Sequence, residues 1–490
     1  MPRVVDVAEE VILGSDARVE FIAVNTAGQR ISHLSEPIPR DLNCAEQIPP
    51  GASVTRVRQL PPLDRQILRL AVPSLGALIA EPLFVLTDTA MVGHLGAEPL
   101  AGLGLASTVL QTTIGLLIFL AYATTPIVAR RLGAGDERGA HSAGVDGLWL
   151  ALGLGVVLLA IMLPTSPLLI DLFGATAAVS AAGTTYLSIA WWGIPGMLLV
   201  FAATGALRGV QDVRTPLLVA AIGFGANIAL NAVLIYGLGL GIAGSAIGTV
   251  IAQWGMALVL VAVVVRRART AGASLRFRRA GLVAALTAGS WLFVRTLSLR
   301  VALVATVVVA TSLGTVELAT THVWFTLYSL LALALDALAI AGQALIGRGL
   351  GANDVPLVHA ITRRLVGWGL GVGAVLTLVL LASIPLLQLA MTSDADVRAA
   401  LPLAIAVLAL GLPLAGVVFV LDGVLIGAGD GRYLAITGVL NLAAFAVVLP
   451  IVDSLGLLLG GFTVVYLGAR AATLGLRARG TRWIVTGATR

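Results

Sequence analysis

Twelve apolar stretches, each about as long as a bilayer-crossing helix and set apart by polar loops, constrain this chain more than any other feature. They run roughly over residues 68–92, 104–129, 144–163, 184–207, 216–236, 242–265, 282–312, 323–347, 364–390, 400–424, 433–452 and 455–476. A spanning helix needs about 20 mostly apolar residues, because the hydrocarbon core offers no water to an exposed backbone. The chain therefore reads as an all-α polytopic membrane protein with 12 transmembrane helices. Charged residues fill 11% of 490 positions and mean hydropathy is +0.99, which leaves too little polar surface to solvate a soluble fold. An enzyme with an aqueous core is not expected.

The net charge of +6 would suit nucleic acid, yet every basic residue is Arg, none is Lys, and they gather in alternate loops. Arg56, Arg58, Arg65 and Arg69 precede the first span; Arg130, Arg131 and Arg138 follow the second; Arg208 and Arg214 follow the fourth. Six arginines from Arg266 to Arg279 follow the sixth, and Arg348, Arg363, Arg364, Arg432, Arg477, Arg479 and Arg482 continue the alternation, with Arg398 the exception. By the positive-inside rule both termini face the cytoplasm of a multi-pass protein in the cell membrane, with lipid and not nucleic acid around it. A single cysteine, Cys44, excludes an intramolecular disulfide, and no Cys/His spacing matches a metal site. Neither a metal nor another cofactor is expected.

Residues 1–62 are polar and interrupted by Pro37, Pro39, Pro49, Pro50, Pro61 and Pro62, without the apolar core of a signal peptide. They read as an unstructured cytoplasmic extension, although the apolar runs Val19 to Ile22 and Ile31 to Leu34 around Asn25-Thr26-Ala27-Gly28 would also suit a hairpin.

The remainder repeats itself. Leu132-Gly133-Ala134-Gly135-Asp136 matches Leu350-Gly351-Ala352-Asn353-Asp354 at an offset of 218 residues, and Gly205, Gly209, Asp212 and Arg214 recur as Gly423, Gly427, Asp430 and Arg432 at the same offset. Between 117–136 and 335–354, nine of twenty positions are identical, which this composition would not give by chance. Two six-helix lobes follow, 63–268 and 281–476, joined by a basic linker, 269–280, with a cytoplasmic tail at 477–490. Six is even, so the lobes run in the same direction as a parallel repeat, a plan in which transporters bind substrate between lobes.

An ionised side chain near the bilayer centre costs roughly 2.5–3.5 kcal/mol or more, so such residues usually face a cavity and act on something. Asp88 is the first candidate. Counted from Arg69 at about 1.5 Å per residue it sits about 29 Å along its helix, and Asn231 and Thr249, counted from Arg214 and Arg266, reach about 25 Å, with Asn227 near 20 Å. Asn227 and Asn231 share one helical face, as do Thr249 and Gln253 on the next span. Such residues also serve helix-to-helix hydrogen bonding, but Asp88 has no arginine at its depth in that lobe.

Several motifs together resemble the MATE (multidrug and toxic compound extrusion) family, in its DinF-like branch. They are Thr87-Asp88 with Gly93-His94-Leu95-Gly96, the Arg-Leu-Gly-Ala-Gly-Asp loop ending at Asp136, the run from Gly205 to Pro216, and the Asn227/Asn231 pair. The resemblance covers about residues 63–476 and implies two helical bundles arranged as a V that export cationic or amphipathic small molecules against protons or sodium. It places Asp88, Asn227 and Thr249 on the family's coupling positions, whereas Asn231 stands where relatives often carry Asp. One carboxylate fewer makes a sodium site less suited, since a hard cation wants charged oxygens, so protons are the expected coupling ion.

The second lobe does not duplicate the site, because Thr306 and Leu449 stand at the repeat positions of Asp88 and Asn231. It carries Asp336, expected to pair with Arg295 or Arg300 by depth. Glu81, seven residues before Asp88 and on the same face, is a candidate proton relay beside Pro82, and Gln253 a candidate lining residue. Gly427-Ala428-Gly429-Asp430 spells an intramembrane aspartyl protease motif, but the same loop recurs at Asp136, Asp212 and Asp354, which favours a turn. The expectation is a monomeric proton-coupled multidrug antiporter working through Asp88, with sodium coupling or lipid-linked saccharide flipping as alternatives.

Overall fold

The computed structural model describes the backbone of residues 8–13, 19–24 and 30–34 and then residues 62–488, apart from the Glu81 side chain. Two compact units divide the chain, 1–59 and 60–490. In the first, β1 (Ala8–Leu13), β2 (Val19–Val24) and β3 (Arg30–Leu34) form an antiparallel sheet in sequence order. β1 pairs with β2 from Ala8↔Val24 to Leu13↔Val19, and β2 pairs with β3 through Phe21↔Leu34. The segment read as unstructured thus carries paired strands, and β2 and β3 fall on the two apolar runs of the hairpin reading. Runs rich in β-branched and aromatic residues, such as Val19-Glu20-Phe21-Ile22, favour extended backbone. The Asn25–Gly28 turn and Cys44 lie outside the described residues.

The second unit holds, among the described residues, twelve helices long and apolar enough to cross a membrane. Span 1 is Pro62–Gly93, span 2 Ala97–Gly133, span 3 Glu137–Asp171, span 4 Ala177–Gly209, span 5 Arg214–Gly237 and span 6 Gly241–Thr270. The second lobe has span 7 Arg279–Leu313, span 8 Thr315–Gly351, span 9 Val355–Ala382, span 10 Ala395–Gly427, span 11 Gly431–Ile451 and span 12 Leu455–Arg479. Most exceed the apolar stretches because hydropathy marks only the lipid-facing portion, and the helices run on into polar, capped ends. Span 9 departs from the expected 364–390: it stops at Ala382 and a separate short helix, Ile384–Met391, follows. Pro385 lacks the amide that would continue the ladder and crowds the residue before it.

The repeated Gly-Asp loops turn out to be one backbone device used four times. After spans 2, 4, 8 and 10 a residue takes the left-handed conformation (Gly135 φ 78°, Gln211 φ 65°, Asn353 φ 58°, Gly429 φ 71°), and the Asp after it bonds back to the helix end. Asp136, Asp212 and Asp354 then cap the next helix by accepting the amides of Gly139, Thr215 and Leu357 at 2.8, 3.0 and 3.0 Å. Burial works against the charge on Asp212, but the Thr215 amide and hydroxyl together with Arg267 outweigh it and hold this carboxyl below the usual carboxylate range. These are helix punctuation, and Asp422 and Asp430 are each engaged with arginine, Arg295 and Arg477 respectively, so no catalytic aspartate pair forms.

The lobes meet at the Arg-rich end. In span 2, residues 119–130 are buried except Ile127, and in span 8 residues 337–347 are buried throughout, while 97–116 and 322–334 are mostly exposed or half-buried. Two repeat-related glycines permit this crossing: a Cβ at Gly133 would strike the Arg348 carbonyl, and one at Gly351 the Arg130 carbonyl. Side chains then tie the junction. Arg348 donates to Gln211 Oε1 at 2.8 Å, Arg130 to the Ala428 carbonyl at 3.0 Å, and Asp64 of span 1 is gripped by Arg364 and by Trp368 Nε1, the latter at 2.8 Å.

Candidate functional site

Asp88 lies in span 1, four turns of helix beyond Pro73, and only 5% of its surface is exposed. Three neighbouring spans of the first lobe supply its partners. Ser245 Oγ of span 6 donates to Oδ1 at 2.5 Å, Asn231 Nδ2 of span 5 donates to the same oxygen at 2.8 Å, and the Tyr186 hydroxyl of span 4 donates to Oδ2 at 3.3 Å. Every one of these groups is neutral, and among the described residues no arginine or histidine comes within ion-pair distance of Asp88. A buried carboxylate normally needs a compensating cation. The site instead offers the carboxylate oxygens neutral donors, and among the described residues no counter-ion balances its charge.

A second layer holds those donors in place. Asn231 Nδ2 is shared with Asn227 Oδ1 at 3.1 Å, and Asn227 Nδ2 reaches Thr249 Oγ1 at 3.4 Å. Asn227, Asn231 and Ser245 are 0–1% exposed and Thr249 is 7% exposed. The spacing by four on span 5 puts both amides on one face, and the same spacing puts Ser245 one turn before Thr249 on span 6. Just past Asn231 the helix loosens into a π turn, Val233–Gly237, from which the Tyr236 hydroxyl bonds to the Met91 carbonyl at 2.6 Å and fixes span 5 against span 1.

Asn231 Oδ1 has no hydrogen-bond partner among the described residues and lies directly against Gly248. A methyl group there has no room unless the Asn231 side chain moves off Asp88. Gly248→Ala should therefore push the Asn231 amide off Asp88 while the protein purifies as a folded membrane protein; a structure of this variant with the Asn231 side chain unmoved would contradict that.

The four residues read from the sequence as one site, Asp88, Asn227, Asn231 and Thr249, do come together. Tyr186 and Ser245 were missed. Ser245 was open to detection, since it extends the Thr249/Gln253 face by one turn, whereas Tyr186 carries no spacing signal toward span 1. Gln253 is not at the carboxyl: its Oε1 packs against Gly193, in the single 3-10 turn Trp191–Gly193 within span 4. Span 1 runs as one helix through Pro82, and the Glu81 side chain lies outside the described residues.

The expected pairing of Asp336 with Arg295 or Arg300 is not what forms. Asp336 Oδ2 accepts the Tyr122 hydroxyl from the other lobe at 2.8 Å, with Arg208 and Arg295 near enough to act only through space. Arg295 instead forks onto Asp422 of span 10, which Arg470 of span 12 also approaches at 3.5 Å, and Arg300 lies against Gly115. Counting residues fixes depth but not the direction a side chain takes around its helix; Asp336 faces the lobe junction and Arg295 the interior of the second lobe. Thr306, at the repeat position of Asp88, bonds back to the Ala302 carbonyl at 2.9 Å.

Tyr122 to Asp336 is thus a side-chain bond between the lobes. Tyr122→Phe should weaken this arrangement by about 1.5–3 kcal/mol, the worth of a hydrogen bond to a charged acceptor. Spin-label distances across the Arg-rich end, in a Cys44→Ser background, should show a larger separated population; an unchanged distribution would contradict that role.

Comparison with known proteins bears on this geometry. A family model described as MatE matches residues 73–233 and 292–452, more than half of the chain and one segment per lobe. DNA damage-inducible protein F of Escherichia coli is 31% identical over 296 residues, covering 59% of this chain and 64% of that relative, so the aligned part falls just short of two thirds of its length. Protein DETOXIFICATION 44, chloroplastic, of Arabidopsis thaliana is 26% identical across 96% of this chain and 92% of its own, and a probable multidrug resistance protein NorM of Thermotoga maritima is 28% identical over 43% of this chain and 46% of its own. Among solved structures, the Vibrio cholerae MATE transporter VcmN in the bent form superposes with a TM-score of 0.77 at 21% identity, covering 85% of this chain and 97% of that one. An outward-facing multidrug resistance MATE family transporter of the MOP superfamily gives 0.76 at 25% identity over 85% and 95%.

Proposed function

Because this chain belongs to the MatE family, we propose that it is a secondary active antiporter of the cell membrane that exports cationic or amphipathic small molecules, with Asp88 taking a proton and a substrate cation in turn. The observation that carries this reading is the environment of Asp88, a buried carboxyl served by three neutral donors from three spans and, among the described residues, by no arginine. A carboxylate locked to a permanent cation would have nothing to exchange. Here protonation and cation binding satisfy the same unpaired charge, so each excludes the other.

With the Arg-rich end taken as cytoplasmic, the tied junction of spans 2 and 8 closes that side and leaves the less buried halves of the same spans toward the outside. In this arrangement Asp88, in the outer part of span 1, exchanges with the external medium. One-to-one exchange of a proton for a monovalent cation moves no net charge, so the pH difference alone drives it, and each pH unit, worth about 1.4 kcal/mol, supports about a tenfold substrate gradient.

Proteoliposomes loaded with ethidium test it: an imposed proton gradient should drive dye movement and a sodium gradient alone should not. Dye movement under sodium alone, or under neither, would overturn proton coupling. The same assay tests the reason proposed for proton rather than sodium coupling. Asn231→Asp places a second carboxylate beside Asp88, at hydrogen-bonding distance of the first, and should confer sodium dependence that the wild type lacks.

A further inference from the structure

We propose that the cavity at the Arg-rich end of the lobe junction is a binding site for one anionic phospholipid, its phosphate held by Arg131 and Arg432. The cavity has a volume of about 780 Å³ and lies between span 2 of the first lobe and spans 7, 10, 11 and 12 of the second, with Ala488 of the tail at its edge. Its walls are of two kinds. Ile127, Ala284, Leu292 and Ile436 give it an apolar flank, and Arg130, Arg131, Asp430, Arg432 and Arg477 give it a charged one. That division matches a molecule with an acyl chain and an anionic head, and not a free inorganic anion, which would have no use for the apolar flank.

The charges at the rim are unequal. Asp430 is taken by Arg477 at 2.8 Å, and that guanidinium also lies over the Tyr433 ring at 4.7 Å. Arg130 is spent on the Val485 and Ala428 carbonyls at 2.7 and 3.0 Å. Arg131 donates only to the Gly139 carbonyl at 3.0 Å, and Arg432 is exposed with its guanidinium 6.0 Å from the Trp291 ring centre. Among the described residues neither has an acidic partner within ion-pair distance. Two arginines lining one cavity, neither ion-paired to a carboxylate among the described residues, suit a phosphodiester, which accepts guanidinium hydrogen bonds at several oxygens. Trp291, on span 7 beside Arg432, is a residue type at home at headgroup level. Basic pockets between helices on the cytoplasmic side are a known way for membrane proteins to take lipid heads.

Arg131 belongs to the first lobe, Arg432 and Trp291 to the second. One phosphate touching both arginines bridges the lobes at the end where they are already joined, and the bound lipid holds that end closed.

The test uses the full chain in detergent, exchanged into nanodiscs of pure phosphatidylcholine or with one fifth phosphatidylglycerol, followed by native mass spectrometry and thermal unfolding. Phosphatidylglycerol should be retained at least several-fold over phosphatidylcholine and raise the unfolding midpoint, and Arg131→Gln/Arg432→Gln should abolish both effects. Ala284→Trp, which fills the apolar flank and leaves the arginines alone, should do the same; retention unchanged in either variant, or equal retention of the two lipids, overturns the proposal. Inorganic phosphate or glycerol 3-phosphate at millimolar concentration should give no stabilisation, and a shift equal to that of the lipid would assign the arginines to a soluble anion instead.

Discussion

Asp88→Asn should abolish proton-driven dye movement in proteoliposomes, reducing the initial rate at least tenfold, while the purified protein remains folded and monodisperse. The two halves of this expectation have separate causes. Asn keeps the shape of the side chain and accepts through one oxygen, so the Ser245 and Asn231 contacts on Oδ1 can persist and the bundle of spans 1, 4, 5 and 6 stays assembled. What it removes is the carboxyl, and with it the negative charge for which proton and substrate cation compete. Ser245→Ala is the graded control: one donor is lost, worth about 1.5–3 kcal/mol to a charged acceptor, and coupling should weaken without disappearing. Full gradient-driven transport by Asp88→Asn would assign coupling to another group.

The largest stability loss is expected elsewhere, at Asp422→Ala. Asp422 is 5% exposed and carries two arginines, Arg295 of span 7 and Arg470 of span 12, whose side chains are 14% and 9% exposed. Removing the carboxylate leaves two buried cations facing one another without an anion, and breaking a buried pair in this way costs about 3–5 kcal/mol. Scanning calorimetry or fluorescence in detergent should register a drop of many degrees in the unfolding midpoint. The triple replacement Asp422→Leu, Arg295→Leu and Arg470→Leu should recover most of it, since an apolar core has no charge to strand. A mild effect of Asp422→Ala would mean that water, not Asp422, solvates the arginines.

These two aspartates show how far the sequence reaches. Asp88 was legible because a charge in a long apolar run is costly, and its partners Asn227, Asn231 and Thr249 were legible because depth could be counted from the nearest arginines. The lobes and the twelve spans were legible because hydropathy and a repeat of constant offset are properties of the chain itself. Asp422 was seen only as part of a false protease motif, and Asp336 was given the arginine that Asp422 holds. Both errors have one origin: depth along a helix is written in the residue count, while azimuth depends on which neighbours pack around it. Tyr186 was missed for the same reason, as a lone hydroxyl on span 4 gives no sign that it turns toward span 1. The paired strands of residues 8–34 lay in a segment whose proline and polar content pointed to an unstructured chain, and local β-propensity was the weaker signal there.

Exchange at one carboxyl is the central claim, and proton release on ligand binding measures it most directly. Ethidium added to the purified protein in weakly buffered detergent, near the pH at which half of the protein is protonated at this site, should release protons in proportion to dye bound. The release should vanish in Asp88→Asn even where some dye still binds. Ethidium binding by the wild type with no proton release at any pH, or equal release from the Asn variant, would contradict the account.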